Sequence, residues 1–193
     1  FNAEELIIEN LNLEFPKNKH TIITGPNGSG KSTILGLISG LYLPESGFVS
    51  MSSHKLGYVG VTPLVFDGSL KDNLLYGNKN SIDDEKIIEL INKFSFYPEK
   101  QNFNLNDKIS NRTLSSGQLQ KISFMRSILN DSDILLLDEA TSNLDSETKK
   151  LVFDILSEQN LTIINSTHNK TDFKYDYELN IFTSKNRKIF NFS

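Results

Sequence analysis

The run "GPNGSGKST", residues 25–33, gathers glycines, a lysine and hydroxyl side chains at a spacing that suits one task, holding phosphate. Gly25, Gly30, Lys31 and Ser32 fill the fixed positions of G-x-x-x-x-G-K-[ST]. Glycines at 25, 28 and 30 let the backbone wrap closely around phosphate oxygens. Successive N–H groups from about Gly28 to Thr33 then donate to those oxygens, and the positive end of the following helix adds to the attraction. Pro26, Asn27 and Ser29 complete the wrap. Lys31 supplies a point charge for β- and γ-phosphates, and the Ser32 hydroxyl suits Mg²⁺. A glycine-rich turn that merely ends a strand is the bland alternative. The apolar "TIIT" before the loop and "STILGLI" after it favour the phosphate reading.

"ILLLDEAT", residues 134–141, supplies the matching acid. A short apolar strand delivers Asp138 to its carboxyl end, where ligands collect in parallel sheets and where a carboxylate can hold Mg²⁺. Glu139 follows directly and is placed to take a proton from an attacking water. In "TIINSTHN" another apolar strand ends near His168, which from there can hydrogen-bond a γ-phosphate or a neighbouring catalytic group. His20 and His54 lack that context and read as surface residues. A further stretch, "LSSGQLQK" at 114–121, leads through Ser115, Ser116, Gly117 and Gln118 into a segment of helical periodicity. It resembles a second phosphate site in outline.

These groups need a sheet to converge on. Short β-branched or apolar runs alternate with helical segments, which predicts an α/β fold with a largely parallel central sheet. Strands are expected at 6–15, 21–24, 56–61, 134–137 and 161–166. The first, with alternating "NLNLEF", reads as part of a peripheral antiparallel sheet, and a terminal hairpin is expected around Lys185 and Asn186. Helices are expected after Gly30 and at 83–94, 116–129 and 146–159. In the second of these Ser81 and Asp84 resemble a start signal, and Ile87, Ile88, Ile91 and Phe94 share one face. Strand signals vanish between Leu74 and Thr113, which predicts a small helical lobe, about 74–130, within a single domain spanning 1–193.

Composition narrows the chemistry. With 193 residues, 37% hydrophobic and 23% charged, the chain can bury a core of its own. It has no cysteine, which rules out disulfides and thiolate metal sites. A net charge of −4, with Lys and Arg spread along the chain, argues against nucleic acid as a partner. No apolar run approaches the roughly 20 residues that cross a bilayer. The chain begins at Phe1 and reads as a piece of something longer.

In this order, "GPNGSGKST", "LSSGQ", "ILLLDEAT", "SNLD" and "STH" strongly resemble the nucleotide-binding domain of ATP-binding cassette (ABC) proteins, over essentially the whole chain. The resemblance implies a P-loop NTPase core with a mostly parallel sheet, a small antiparallel β subdomain and a helical subdomain. It also implies ATP and Mg²⁺ as ligands, and two domains paired head to tail. In that pairing "LSSGQ" contacts the γ-phosphate held by the other domain's loop, through Ser115 and the backbone of Gly117, with Ser116 and Gln118 at the same interface. "SNLD", ending in Asp145, resembles the segment that runs along the dimer seam. "TPLVFDGSLKDNLLYG", residues 62–77, resembles exporter-type domains, which implies a transmembrane partner met around Phe66 and a place at the cytoplasmic face of a membrane.

The chain departs from the family pattern at several points. Val61 stands where the family has a Gln that serves Mg²⁺ or the attacking water, and Ser116 where it has Gly. The run before "LSSGQ" is altered, and the region between Gly47 and Tyr58 is short. Phe1 is the one candidate for an aromatic stacked on adenine. Three readings follow: an ATPase domain of an exporter, an ATP-holding module that leaves hydrolysis to a different partner, and an ABC ATPase working on DNA or ribosomes. The last lacks the basic surfaces and insertions it needs.

Overall fold

A computed structural model describes residues 8–9, 11–98, 102–171, 173–184 and 187–193. Its centre is a six-stranded sheet ordered β2-β5-β6-β1-β7-β8. The strands are β1 (His20–Thr24), β2 (Leu56–Val59), β5 (Ile134–Asp138), β6 (Thr162–Ser166), β7 (Tyr177–Ser184) and β8 (Arg187–Phe192). All neighbouring pairs run parallel except β7 with β8, the antiparallel terminal hairpin. Its expected turn residues, Lys185 and Asn186, lie outside the described residues, as does Phe1.

Alternation along the central strands decides which helices cover which face. On β5, Leu135 and Leu137 join a core built with α2 (Leu70–Leu74), α3 (Asp84–Lys93), α4 (Ser116–Leu129) and α5 (Ser146–Ser157). Ile134 and Leu136 point the other way, into a core shared with Ile34 and Leu35 of α1 (Lys31–Ile38). Both faces of β5 are fully covered, which is why it reads as a continuous apolar run and not as an alternating one. Each such buried Leu or Ile contributes about 1.5–3 kcal/mol.

The mostly parallel sheet matches the sequence reading, and α3 and α4 fall within residues 74–130; differences lie at particular elements. The expected strand at 6–15 is absent from its described part. Leu11, Leu13 and Phe15 are half-buried, Asn12 and Glu14 are exposed, and the apolar side chains pack on the α1 side of the sheet. The alternation therefore reported one-sided burial correctly, but among the described residues no strand pairs with it to complete a ladder. Antiparallel pairing sits elsewhere, in a two-stranded sheet of β3 (Gly68–Ser69) and β4 (Lys108–Ile109), the latter inside a stretch expected to lack strands. In α3, Ile87, Ile91 and Phe94 are buried as expected, whereas Ile88 is exposed, because it lies beyond the edge of the packed stripe. Strand β2 ends at Val59, so Val61 lies past it in an exposed turn.

His20 is a correction of another kind. It is not a surface residue: its ring packs against both Phe153 at 5.6 Å and Phe173 at 5.1 Å, which themselves stack 4.0 Å apart. Burial disfavours the charged imidazolium and lowers its pKa to about 4, so the ring is a neutral aromatic plate at pH 7. The exposed reading of His54 stands.

Candidate functional site

Four parallel strands, β2, β5, β6 and β1, lie side by side and end on one edge of the sheet. Register carries the chemistry there to a common level. Asp138 pairs with Ser166, and Ile23 pairs with Ser166 from the other side, so Glu139, Thr167 and the start of the 25–30 loop emerge together. The Glu139 N–H donates to the Ser166 carbonyl (3.0 Å) and the Thr167 N–H to the Ile23 carbonyl (3.1 Å), extending the ladder by one rung.

The loop after β1 requires its first glycine. Gly25 has φ +148°, and a Cβ there would stand 2.4 Å from the Ile181 carbonyl oxygen of β7. Gly30, the N-cap of α1, is left-handed and offers no side-chain cap, and the first turn of α1 carries no acid. By contrast α2, α4 and α5 are capped by Ser69, Ser115 and Asp145, and α3, which also lacks a side-chain cap, carries Asp84 and Glu85 in its first turn. The first-turn N–H groups of α1 are thus left without a side-chain partner, as a phosphate-binding helix start requires. The Ser29 hydroxyl is buried without a hydrogen-bond partner. Lys31 is folded into the loop, donating to the carbonyls of Gly25 (3.0 Å) and Pro26 (3.2 Å), so its ammonium already sits inside the wrap. Asn27, Gly28 and Ser32 are exposed and Thr33 is half-buried.

Ser32 and Asp138 come together across the sheet edge: the Ser32 hydroxyl donates to Asp138 Oδ1 at 3.0 Å. Two adjacent oxygen donors suit a hard cation that takes its other ligands from phosphate and water. No cluster of three or more His, Cys, Asp or Glu that could hold a metal exists among the described residues. The structure brings in a group that the sequence reading did not single out. The Tyr58 hydroxyl donates to Asp138 Oδ2 at 3.0 Å. Partial burial, followed by the Asp138 charge, pushes the Tyr58 pKa up to about 12, which keeps it a donor. Its place follows from the register: Tyr58 pairs with Leu136, so its side chain shares the face of Asp138 two residues further on.

Glu139 lies beside this pair in a left-handed backbone conformation, φ 50°. That costs a non-glycine residue about 1 kcal/mol or more. The conformation is held by the Ser166 bond and by the Ser142 N–H, which donates to the Glu139 carbonyl at 3.0 Å. His168 Nε2 approaches Glu139 Oε1 at 2.9 Å, and the Glu139 side chain is about one-third exposed. The His168 backbone is set by a turn in which Thr167 Oγ1 accepts from Asn169 N and donates to Asn169 O, both at 3.1 Å.

The hydrogen bonds at the start of α4 involve none of these groups. Ser115 Oγ accepts from Gln118 N (3.2 Å), and Gln118 Oε1 accepts from Ser115 N (3.0 Å), a capping box. Gln118 Nε2 also donates to the Phe96 carbonyl (3.1 Å), so both ends of its amide are committed to its own chain. Ser115 and Ser116 are exposed, and the N–H groups of Ser116 and Gly117 belong to the set that a helix start cannot satisfy internally. Asp145 is exposed and caps α5 through Thr148 N (2.8 Å) and Thr148 Oγ1 (2.7 Å). The Thr148 bonds hold its carboxyl below the usual range. Buried Gln120 of α4 donates to the Gly60 carbonyl at 3.0 Å, tying this helix to the turn after β2.

Two further side chains that sequence reasoning passed over hold the 62–77 stretch, Asn73 by folding it on itself and Arg126 by fastening it to α4. Buried Asn73 accepts from Phe66 N (3.0 Å) and donates to the carbonyls of Phe66 (3.0 Å) and Ser69 (3.1 Å). Arg126 donates to the carbonyls of Asn73 and Leu64 and lies 5.4 Å over the Tyr76 ring. A cleft of about 320 Å³ opens between this stretch, β2 and α4, lined in part by Leu64, Tyr76 and Arg126. No helix among the described residues is long and apolar enough to cross a membrane.

A family model described as ABC transporter matches residues 8–142. ATP-dependent permease MDL1 of Candida albicans is 34% identical over 204 residues, covering 93% of this chain and 29% of the permease. ABC transporter B family member 17 of Arabidopsis thaliana is 36% identical over 168 residues, 78% of this chain and 14% of the relative. ABC transporter B family member 1 of Dictyostelium discoideum is 35% identical over 168 residues, 79% and 18% respectively. The chain thus spans less than a third of the length of these curated relatives.

Proposed function

Because the chain belongs to the ABC transporter family as its ATP-binding domain, we propose that it binds and hydrolyses ATP as one of a head-to-tail pair and drives an associated transmembrane domain. The observation that carries this reading is the convergence, on one sheet edge, of Lys31 in its loop, the Ser32–Asp138 pair and the Glu139–His168 pair. Lys31 and the free N–H groups of α1 bind the phosphates. Ser32 and Asp138 hold Mg²⁺, which when bound would neutralise charge on the β- and γ-phosphate oxygens. The Glu139 carboxylate, held at Oε1 by His168, accepts a proton from the attacking water. His168 fixes the carboxylate and presents its ring toward the transferring phosphoryl group.

The second helix start acts on the neighbour. Within its own chain the "LSSGQ" segment is separate from the phosphate loop, yet Ser115, Ser116 and the N–H groups of α4 face outward. In the pair, this end of one chain closes over the ATP held by the other, and Asp145 lies along the seam. Since Gln118 is engaged within its chain, it serves by shaping the helix start rather than by contacting ATP. The transmembrane partner meets the cleft beside Leu64, Phe66 and Tyr76, which places the domain at the cytoplasmic face of an exporter.

Val61 motivates a second reading, in which the chain holds ATP while a different domain hydrolyses. An exposed valine past β2 offers neither a metal ligand nor a partner for water. Steady-state ATP turnover by the chain with Mg²⁺ separates the two. Turnover that rises faster than linearly with chain concentration supports hydrolysis by a pair; ATP binding with no turnover at any concentration overturns it for the homodimer.

A further inference from the structure

Asp138 is gripped from two sides, and only one of the grips is part of the phosphate loop. Ser32 of α1 donates to Oδ1 and Tyr58 of β2 donates to Oδ2, each at 3.0 Å. A carboxylate offers about four lone-pair sites. The two bonds therefore stop its rotation and still leave one site free on each oxygen. Resting on the reading that Ser32 and Asp138 serve a divalent cation beside ATP, we propose that Tyr58 is a positioning residue for that cation: its phenol fixes the Asp138 carboxylate in the orientation that binds the metal or its water.

Tyr58 is itself held where this requires. It pairs with Leu136 in the ladder next to the strand that ends in Asp138, and Val59 beside it is fully buried. The turn that follows is fastened by Gln120 through the Gly60 carbonyl, and a Cβ on Gly60 would stand only 3.3 Å from the Tyr58 ring. A small residue at 60 thus keeps room for the ring. Val61, further along the turn, has no polar group to offer the metal, so on this strand the hydroxyl near it is that of Tyr58.

The test compares wild type with Tyr58→Phe, which keeps the ring and removes the hydroxyl. Mn²⁺ is titrated by electron paramagnetic resonance into each chain saturated with a non-hydrolysable ATP analogue. Metal-free binding of the analogue and the thermal midpoint are measured alongside. Unfreezing one side chain predicts Mn²⁺ affinity weakened roughly three- to tenfold, with metal-free analogue binding and thermal midpoint unchanged. Equal Mn²⁺ affinity in the two chains, or tighter binding in Tyr58→Phe, overturns the role of Tyr58 and leaves the metal site intact. No Mn²⁺ binding by wild type in the presence of the analogue overturns the metal reading itself, and this assignment with it. Should Tyr58→Phe fail to fold, Tyr58→Leu is measured in the same way and judged by the same outcomes.

Discussion

Glu139→Gln is expected to abolish ATP turnover, by roughly 10²- to 10⁴-fold, the range lost when a general base is removed, while ATP remains bound. The substitution keeps size and shape. An amide oxygen can still meet His168 Nε2, which lies 2.9 Å from the present carboxylate, and the backbone bonds that hold residue 139 are untouched. What disappears is the basic oxygen for the water's proton. If, as proposed, closure of the pair depends on ATP and reopening on its cleavage, the variant accumulates as an ATP-bound dimer. Phosphate release in a single turnover, read together with mass in solution, checks both halves. Turnover within tenfold of wild type would remove Glu139 from the base role.

Lys31→Ala is expected to lower ATP affinity by on the order of 10²-fold or more, since charge-assisted hydrogen bonds to phosphate contribute about 1.5–3 kcal/mol each. The ammonium is held at 3.0 Å and 3.2 Å from two loop carbonyls, so it is already placed before ATP arrives and little ordering is needed on binding. Removing it also releases the tether that closes the loop on itself. Lys31→Arg should not restore affinity, because the side chain is 5% exposed and a planar fork is larger than the ammonium it replaces. Equilibrium titration with a fluorescent ATP analogue reads the loss. An affinity within threefold of wild type would mean that the loop's N–H groups and helix end carry phosphate binding without the lysine.

The chemistry of this chain was legible where it depends on covalent spacing. Gly25, Gly30, Lys31 and Ser32 must be neighbours in sequence to form a phosphate wrap, and Asp138 with Glu139 must end an apolar strand, so both announced themselves. Tyr58 did not, because its role comes from the register of β2 against β5, which no local pattern prints. Arg126 and Asn73 were missed for a related reason. They act on backbone carbonyls of a segment distant in sequence or turned back on itself, and a buried polar side chain looks like any other until its partner is known. The 6–15 stretch failed in the opposite direction. Alternation reports one-sided burial, which Leu11, Leu13 and Phe15 do have, but a strand also needs a neighbour to bond to. His20 was misread because its stacking partners, Phe153 and Phe173, lie far along the chain.

The central claim is that one chain's α4 start completes the other chain's phosphate loop, and the absence of native cysteine makes it directly measurable. One Glu139→Gln chain carrying Asn27→Cys is mixed with a second Glu139→Gln chain, distinguishable by mass, carrying Arg112→Cys; both positions are exposed, one in the loop and one just before "LSSGQ". A short bis-maleimide is added with and without ATP. A head-to-tail pair predicts a covalent product of mixed mass that forms with ATP, while the Asn27 and Arg112 chains do not couple to copies of themselves. Coupling between like chains, or no mixed product in the presence of ATP, would contradict it.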